Sequence, residues 1–216
     1  GLTRSLLKSS ALKVIALEFD ERAVQALQEL QNHFGEQLQI LKADALETDL
    51  RSITPDQAPK AIIANLPYNI ATPLLIGWLK HIYENSQTYE RMALMFQKEV
   101  AQRITAKPGS KAYGRLSVLA QWLCDVKILC DIPPRAFTPP PKVTSSVVLF
   151  KPKQGLGKKP DFKTIEALTA AAFGQRRKMI RSSLKNYLPQ IEALGIDPQR
   201  RGETLSVEQF ILLAQQ

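Results

Sequence analysis

Short apolar runs alternate with amphipathic stretches along the first two-thirds of the chain. Residues 13–19 (KVIALEF) are apolar and rich in β-branched side chains, which predicts a buried strand, and residues 20–34 carry apolar side chains at helical spacing. The same pattern predicts strands at 38–44, 60–66 and 91–96, and helices at 72–83 and 114–123. Strands that alternate with helices are typical of an α/β fold with a mainly parallel sheet covered on both faces.

The pattern changes in the last third of the chain. Two strand candidates, 125–132 and 142–150, follow each other with no helix between them, which predicts an antiparallel pair at the sheet edge. A stretch rich in Gly, Pro and Lys then predicts a linker, and short helices follow it, one of them beginning with a capping box at Ser206. We therefore expect an α/β domain, a linker and a small helical domain, at residues 1–152, 153–160 and 161–216.

Composition and charge narrow the class of protein. The 44% hydrophobic and 23% charged residues are ordinary for a folded domain, and no run of about 18 apolar residues or signal peptide is present. We therefore expect a cytoplasmic protein with no membrane partner. Cys124 and Cys130 form no CxxC pair, so we predict two reduced cysteines and no metal site. The net charge is +9, and residues 151–216 hold 12 Lys/Arg against 6 Asp/Glu, which favours a polyanionic partner.

Polar side chains follow three successive predicted strands. Glu18, Asp44 and Asn65 each fall at or just beyond a strand's carboxyl end, the edge that lines the ligand crevice of open α/β sheets. Glu18 suits hydrogen bonds from ribose hydroxyls, and Asp44 suits an adenine amino group. A single carboxylate at a strand end is also explained as a helix cap, which is what we predict for Asp20.

Residues 65–68 (Asn-Leu-Pro-Tyr) indicate a particular chemistry. The lone pair of the adenine N6 amine is delocalised into the ring, so the amine reacts only when acceptors hold its two hydrogens. The Asn65 side chain and the Leu66 carbonyl are such acceptors, while Pro67 would fix the backbone and Tyr68 would stack on the base. A general base is not needed, because the proton becomes acidic after methyl transfer, and catalysis is mainly positioning. A plain strand-to-helix turn explains the same four residues equally well.

Longer stretches carry a resemblance to a known family. They are NLPYNIATPLL (65–75), QKEVAQRI (97–104), KPGSKAYGRLSVLAQ (107–121), PPRAFTPPPKVTSSVV (133–148) and AAFGQRRKMIRSSLK (171–185). Together they resemble the small-subunit ribosomal RNA adenine dimethyltransferases. The resemblance implies a Rossmann-like class I methyltransferase domain with a small C-terminal helical domain. It also implies S-adenosylmethionine as the cofactor, with S-adenosylhomocysteine as product, and dimethylation of N6 on two adjacent adenines. The implied partner is the small ribosomal subunit with its rRNA, bound by a monomer that acts in ribosome biogenesis.

The resemblance also implies roles for individual residues. The target adenine would lie against Asn65, Leu66 and Tyr68, with Phe137 of the FTPPPKV segment closing on its other face, and Pro67 would belong to the same catalytic turn. Glu18 would bind the cofactor ribose and Asp44 the cofactor adenine. The full set of cofactor residues implied is Gly1, Leu2, Glu18, Asp44, Ala45 and Asn65.

A basic run near the C-terminus has two explanations. Arg177, Arg181 and Lys185 follow i, i+4, i+8 spacing, which predicts one face of a helix. Such a face is explained either by solvation or by contact with RNA phosphates, and the resemblance favours the RNA. The predicted RNA contacts are Lys107, Lys111, Arg115, Arg176, Arg177, Lys178, Arg181 and Lys185.

The sequence departs from the family at its first residues. Members of the family open with a strand and a glycine-rich turn of the form GPGxGxLT, of which only Gly1-Leu2-Thr3 is present here. We therefore expect a truncated chain that binds S-adenosylmethionine weakly or not at all. Micromolar binding in isothermal titration would contradict this expectation.

Three alternatives share parts of this pattern. A large-subunit rRNA adenine methyltransferase of the macrolide-resistance type has a similar tetrapeptide and fold. A noncatalytic RNA-binding assembly factor with the same fold would tolerate an incomplete glycine turn. A DNA adenine methyltransferase is disfavoured by the basic C-terminal run, which is specific to the ribosomal RNA family.

Overall fold

The computed structural model describes residues 1–54 and 59–215, which form two compact units, one on each side of the gap. Within these ranges, none of the helices has the length and apolar character that a bilayer crossing requires.

The first unit is a βαβ arrangement preceded by a short helix. Its elements are α1 (Leu2–Leu7), β1 (Val14–Glu18), α2 (Glu21–Phe34) and β2 (Leu38–Lys42). The Asp20 carboxylate accepts hydrogen bonds from the backbone N–H groups of Arg22 and Ala23, so it caps α2 as predicted. Gly35 ends that helix with a φ of 57°, which L residues with side chains rarely adopt. β1 and β2 are parallel, with Glu18 opposite Lys42.

The second unit begins with a mixed sheet and its helices. The elements are β3 (Ala61–Asn65), α3 (Tyr68–Glu84), β4 (Arg91–Gln97), α4 (Lys98–Ile104), α5 (Arg115–Leu123), β5 (Cys124–Ile132) and β6 (Ser145–Pro152). The strand order is β3-β4-β6-β5. β3 and β4 are parallel, and β6 is antiparallel to both β4 and β5. The predicted antiparallel pair is confirmed, and β5 forms one edge of the sheet.

The predicted α/β fold is confirmed, but the strand pairings are not mainly parallel among the residues that the structure describes. β1 and β2 form a separate two-stranded sheet, and two of the three pairings in the four-stranded sheet are antiparallel. Apolar runs identify strands, but they carry no information about which strands pair. β6 lies between two partner strands and is therefore more buried than β5. In β5, exposed residues alternate with partly buried ones over much of the strand.

Up to residue 215, where the described part ends, four helices complete the second unit: α6 (Phe162–Gly174), α7 (Ile180–Ser183), α8 (Leu188–Ala193) and α9 (Val207–Ala214). α6 and α9 pack against α5, and the Phe162 ring stacks on Trp122 at a centroid distance of 5.8 Å. The Ser206 hydroxyl accepts from the Gln209 N–H, and the Gln209 side chain accepts from the Ser206 N–H, which confirms the capping box. The division into segments 1–152, 153–160 and 161–216 stays a prediction.

The predicted helix through the basic run was wrong. α6 ends at Gly174, and the next helix begins only at Ile180. Arg177 therefore lies in a connecting turn, Arg181 in α7, and Lys185 in a separate 3-10 turn, Lys185–Tyr187. Backbone hydrogen bonds fix this break, because the N–H groups of Ile180 and Arg181 donate to the carbonyls of Arg200 and Pro198 instead of to α6.

Candidate active site

The Asn-Leu-Pro-Tyr segment joins β3 to α3 in a tight turn. Asn65 is the last residue of β3 and is exposed, whereas the Leu66 side chain is buried. Pro67 precedes the first helical residue, and its carbonyl accepts from the N–H groups of Ile70 and Ala71 at 3.1 Å. The buried Leu66 side chain anchors the turn, and Pro67 restricts its backbone. Asn65 is therefore held in an exposed position at the strand end.

Tyr68 is fixed at the far end of its ring. Its hydroxyl lies 2.7 Å from the Ser145 hydroxyl, and either oxygen is able to donate. Ser145 is the first residue of β6 and is fully buried. The ring itself is half-buried, which leaves part of its surface accessible.

Phe137 lies in the loop between β5 and β6. It follows the 3-10 turn Pro134–Ala136, and its N–H donates to the Pro134 carbonyl at 3.1 Å. Ile132, the last residue of β5, pairs with Ser145, so this loop starts and ends beside the residue that Tyr68 contacts. The structure therefore brings Tyr68 and the Phe137 loop to the same end of the sheet, where β5 ends and β6 begins.

A second polar cluster at this end of the sheet was missed by sequence reasoning. The Lys98 ammonium and the Ser146 hydroxyl each donate to the Asp131 carboxylate at 2.6 Å. These bonds, first from Lys98 and then from Ser146, hold the pKa of Asp131 below its usual range. Nothing in the spacing of the three residues predicts the cluster, because they come from three different elements.

In the first unit, Glu18 ends β1 and lines a cavity of about 360 Å³ together with Gly1, Thr3 and Arg4. One carboxylate oxygen, Oε1, accepts from the N–H groups of Phe19 and Asp20 at 2.9 and 3.0 Å. Oε2 has no hydrogen bond within the described residues, so it keeps its capacity to accept one from a ligand. Two predicted cofactor residues, Gly1 and Glu18, thus meet in one cavity.

Asp44 lies in the turn that follows β2. Its Oδ1 accepts from the Leu46 N–H at 2.8 Å, and Ala45 is part of the same turn. The Ala43 N–H donates to the Glu18 carbonyl, which links the carboxyl ends of β1 and β2. Glu18 and Asp44 therefore share one end of the two-stranded sheet. One oxygen of each carboxylate accepts from the backbone that follows it, and the other has no hydrogen bond within the described residues. Leu2 begins α1, next to Gly1.

The predicted RNA-contacting residues divide into two groups. Arg115 is ion-paired with Glu166 at 2.8 Å. Arg176 donates to the carbonyls of Lys111 and Tyr113 at 2.9 and 3.2 Å and is ion-paired with Glu203 at 3.0 Å. These two arginines are engaged within the protein. In the part of the chain that the structure describes, the remaining six have exposed side chains with no ion pair: Lys107, Lys111, Arg177, Lys178, Arg181 and Lys185.

The mixed sheet with its antiparallel edge and the Asn-Leu-Pro-Tyr turn at a strand end define a Rossmann-like methyltransferase. A dimethyladenosine transferase from Plasmodium falciparum superposes with a TM-score of 0.81 at 26% identity, covering 98% of this chain and 84% of that one. The 23S rRNA methyltransferase ErmE shares the fold, with a TM-score of 0.70 at 22% identity over 99% of this chain and 85% of its own.

Sequence comparison identifies the family. The profile of the ribosomal RNA adenine dimethylase family matches residues 1–216, and the chain belongs to that family. Ribosomal RNA small subunit methyltransferase A of Rhodospirillum rubrum is 51% identical, over 99% of this chain and 73% of that protein. The protein of the same name from Gluconobacter oxydans is 50% identical, over 100% of this chain and 70% of its own length.

Proposed function

We propose that this protein transfers methyl groups from S-adenosylmethionine to the N6 amines of two adjacent adenines in small-subunit ribosomal RNA, dimethylating each. The observation that carries the proposal is the Asn65 amide exposed at the end of β3, three residues before a tyrosine ring tethered to the sheet. Relatives named ribosomal RNA small subunit methyltransferase A, which are 51% and 50% identical to this chain, support small-subunit ribosomal RNA as the substrate. We further propose that the protein acts in the cytoplasm as a monomer on the small ribosomal subunit.

The acceptor chemistry follows from the Asn65–Tyr68 turn. The Asn65 side-chain oxygen and the Leu66 carbonyl accept the two N6 hydrogens, which draws the nitrogen lone pair out of conjugation and toward the methyl donor. Pro67 and the buried Leu66 side chain keep both acceptors in place before the base arrives. Tyr68 stacks on one face of the adenine and Phe137 on the other, and stacking is worth about 1–3 kcal/mol per base.

Five of the six predicted cofactor residues, all except Asn65, lie in the first unit. We assign the cofactor's ribose hydroxyls to Glu18, whose Oε2 has spare acceptor capacity, and its adenine amino group to Asp44, with Gly1, Leu2 and Ala45 beside them. When bound, S-adenosylmethionine supplies an electrophilic methyl group. The methylated N6 is acidic and gives its proton to solvent, so the protein's residues supply positioning rather than a strong base.

RNA binding falls to the exposed cations of the second unit. Lys107, Lys111, Arg177, Lys178, Arg181 and Lys185 are assigned to phosphates. The Gly109 N–H donates to the Glu203 carbonyl at 2.7 Å, and Arg176 bonds the same segment, so the Lys107–Lys111 loop is tied beside the Arg177 turn. Phosphate contacts of this kind position the RNA without reading its sequence.

The proposal is tested by supplying the protein with labelled S-adenosylmethionine and either small ribosomal subunits or large-subunit RNA, then digesting the RNA to nucleosides. We expect N6,N6-dimethyladenosine from the small subunit only. Label confined to large-subunit RNA would identify the macrolide-resistance type of enzyme. Tight binding of small subunits without transfer would identify an assembly factor, and either result overturns the proposal.

A further inference from the structure

We infer that Ser145 is a positioning residue for methyl transfer, acting through the hydroxyl of Tyr68. The inference rests on the proposed function of the Asn65–Tyr68 turn and extends it to a residue 77 positions away in the chain. It concerns how the base-stacking ring is held, because no group on Ser145 touches the reacting atoms.

Ser145 occupies a rigid position in the sheet. It is the first residue of β6, where it is paired with Gln97 of β4 on one side and with Ile132 of β5 on the other. Its side chain is fully buried, and its 2.7 Å contact with Tyr68 is its one side-chain hydrogen bond among the described residues. The tyrosine hydroxyl is therefore tied to a strand that is paired on both sides.

The burial of this hydroxyl argues for a specific use. A buried hydroxyl that lacks a partner is costly, and alanine would fill most of the same space at no such cost. The partner that Ser145 has is Tyr68, a residue at the first position of α3 whose ring is otherwise half-exposed. Removing the serine hydroxyl would leave the ring free to rotate about its side-chain bonds.

The neighbouring serine provides the contrast. Ser146 is equally buried, but successive side chains of a strand point to opposite faces of the sheet, and its hydroxyl donates to Asp131 instead. One serine thus holds Tyr68, and the next holds the Asp131–Lys98 ion pair. The two are matched in burial, strand and chemistry, and they differ in what they contact.

Fixing the ring affects the chemical step more than RNA binding. A base stacked on a fixed Tyr68 ring is already in the geometry that methyl transfer needs. If the ring is mobile, the N6 amine spends less time in contact with the Asn65 acceptor. RNA affinity is dominated by phosphate contacts, which the ring does not make. Loss of the tether therefore lowers kcat and leaves KM for the ribosomal subunit nearly unchanged.

The test is a double-mutant cycle on methylation of small subunits, with Ser145→Ala, Tyr68→Phe and the double variant. We expect each single change to lower kcat about three- to tenfold, the worth of one hydrogen bond, with KM changed less than about twofold. The double variant should be no slower than either single one, because both remove the same bond. Ser145→Thr, which keeps a hydroxyl, should recover most of the rate. The effects of Ser146→Ala and Tyr68→Phe should be additive, because the Ser146 hydroxyl bonds Asp131 and not Tyr68.

A second readout does not depend on activity. In protein containing 3-fluorotyrosine, the Tyr68 resonance is assigned by its loss in Tyr68→Phe; it should shift in Ser145→Ala and stay in place in Ser146→Ala. Additive kcat losses in Ser145→Ala and Tyr68→Phe, an unchanged rate in Ser145→Ala, or an unmoved resonance would overturn the inference. If the unaltered protein transfers no methyl group, the proposed function fails, while the resonance still reports whether the tether exists.

Discussion

Arg176 and Arg177 are adjacent, identical in type and both exposed, yet the structure gives them different roles. Arg176 donates to two backbone carbonyls of the 107–113 loop and is paired with Glu203, whereas Arg177 has no ion pair among the described residues. We predict that Arg176→Ala destabilises the protein and that Arg177→Ala weakens RNA binding without changing stability.

The magnitude follows from the contacts of Arg176. Its two hydrogen bonds to carbonyls are charge-assisted and worth about 1 kcal/mol each after competition with water. The pair with Glu203 adds little, because the two side chains are 45% and 28% exposed. A total near 2 kcal/mol corresponds to a fall in Tm of about 4–8 °C for a chain of this size. Arg177→Ala should change the free energy of unfolding by less than about 0.5 kcal/mol.

The assay pairs thermal unfolding with RNA binding over a range of salt concentrations. Removing one phosphate contact lowers the slope of log affinity against log salt by about one for a duplex and somewhat less for a single strand. That change should appear in Arg177→Ala. An unchanged Tm in Arg176→Ala, or an equal fall in Tm in both variants, would contradict the different roles of the two arginines.

Two further predictions concern packing and thiol chemistry. A Cβ at Gly202 would lie 2.8 Å from the Ala172 carbonyl oxygen. Gly202→Ala should therefore lower the free energy of unfolding, measured in urea, by about 1–3 kcal/mol. Gly77→Ala, at an open position inside α3, should raise the free energy of unfolding by about 0.5–1 kcal/mol. Equal effects of the two substitutions would contradict the close contact at Gly202. Burial raises the pKa of the Cys124 thiol to about 12, so the neutral thiol favours folding, and this contribution is lost as pH rises from the thiol's usual pKa toward that value. Mass spectrometry after iodoacetamide treatment should therefore find exposed Cys130 labelled well before Cys124, and equal labelling of the native protein would show that Cys124 is accessible.

The elements that sequence predicted well are those determined by neighbours in the chain. Among the described residues, periodicity located the six strands and the helices α2, α3 and α5, whereas α6 was expected only as one of several short helices. The caps at Asp20 and Ser206 are local hydrogen bonds between residues two or three positions apart. The Asn65–Tyr68 turn is equally local, since a strand end, a proline and a helix start suffice to build it.

Contacts between distant segments were not predictable in this way. The Tyr68–Ser145 bond joins residues whose proximity depends on β6 inserting between β4 and β5. The different roles of Arg176 and Arg177 depend on where a loop from another part of the chain passes. The break in the basic run did leave a signal, because Gly174 stands where a helix commonly ends, and the i, i+4, i+8 spacing concealed it.

The central claim is that Asn65 holds the target amine for methyl transfer. Asn65→Ala is compared with Asn69→Ala, an exposed asparagine at the second position of α3, in single-turnover methylation of small subunits. Loss of an oxygen that acts in the transition state should slow Asn65→Ala about a hundredfold or more with unchanged RNA affinity, while Asn69→Ala keeps its rate. If Asn65→Ala methylates at the unaltered rate, the acceptor site lies elsewhere and the account is wrong.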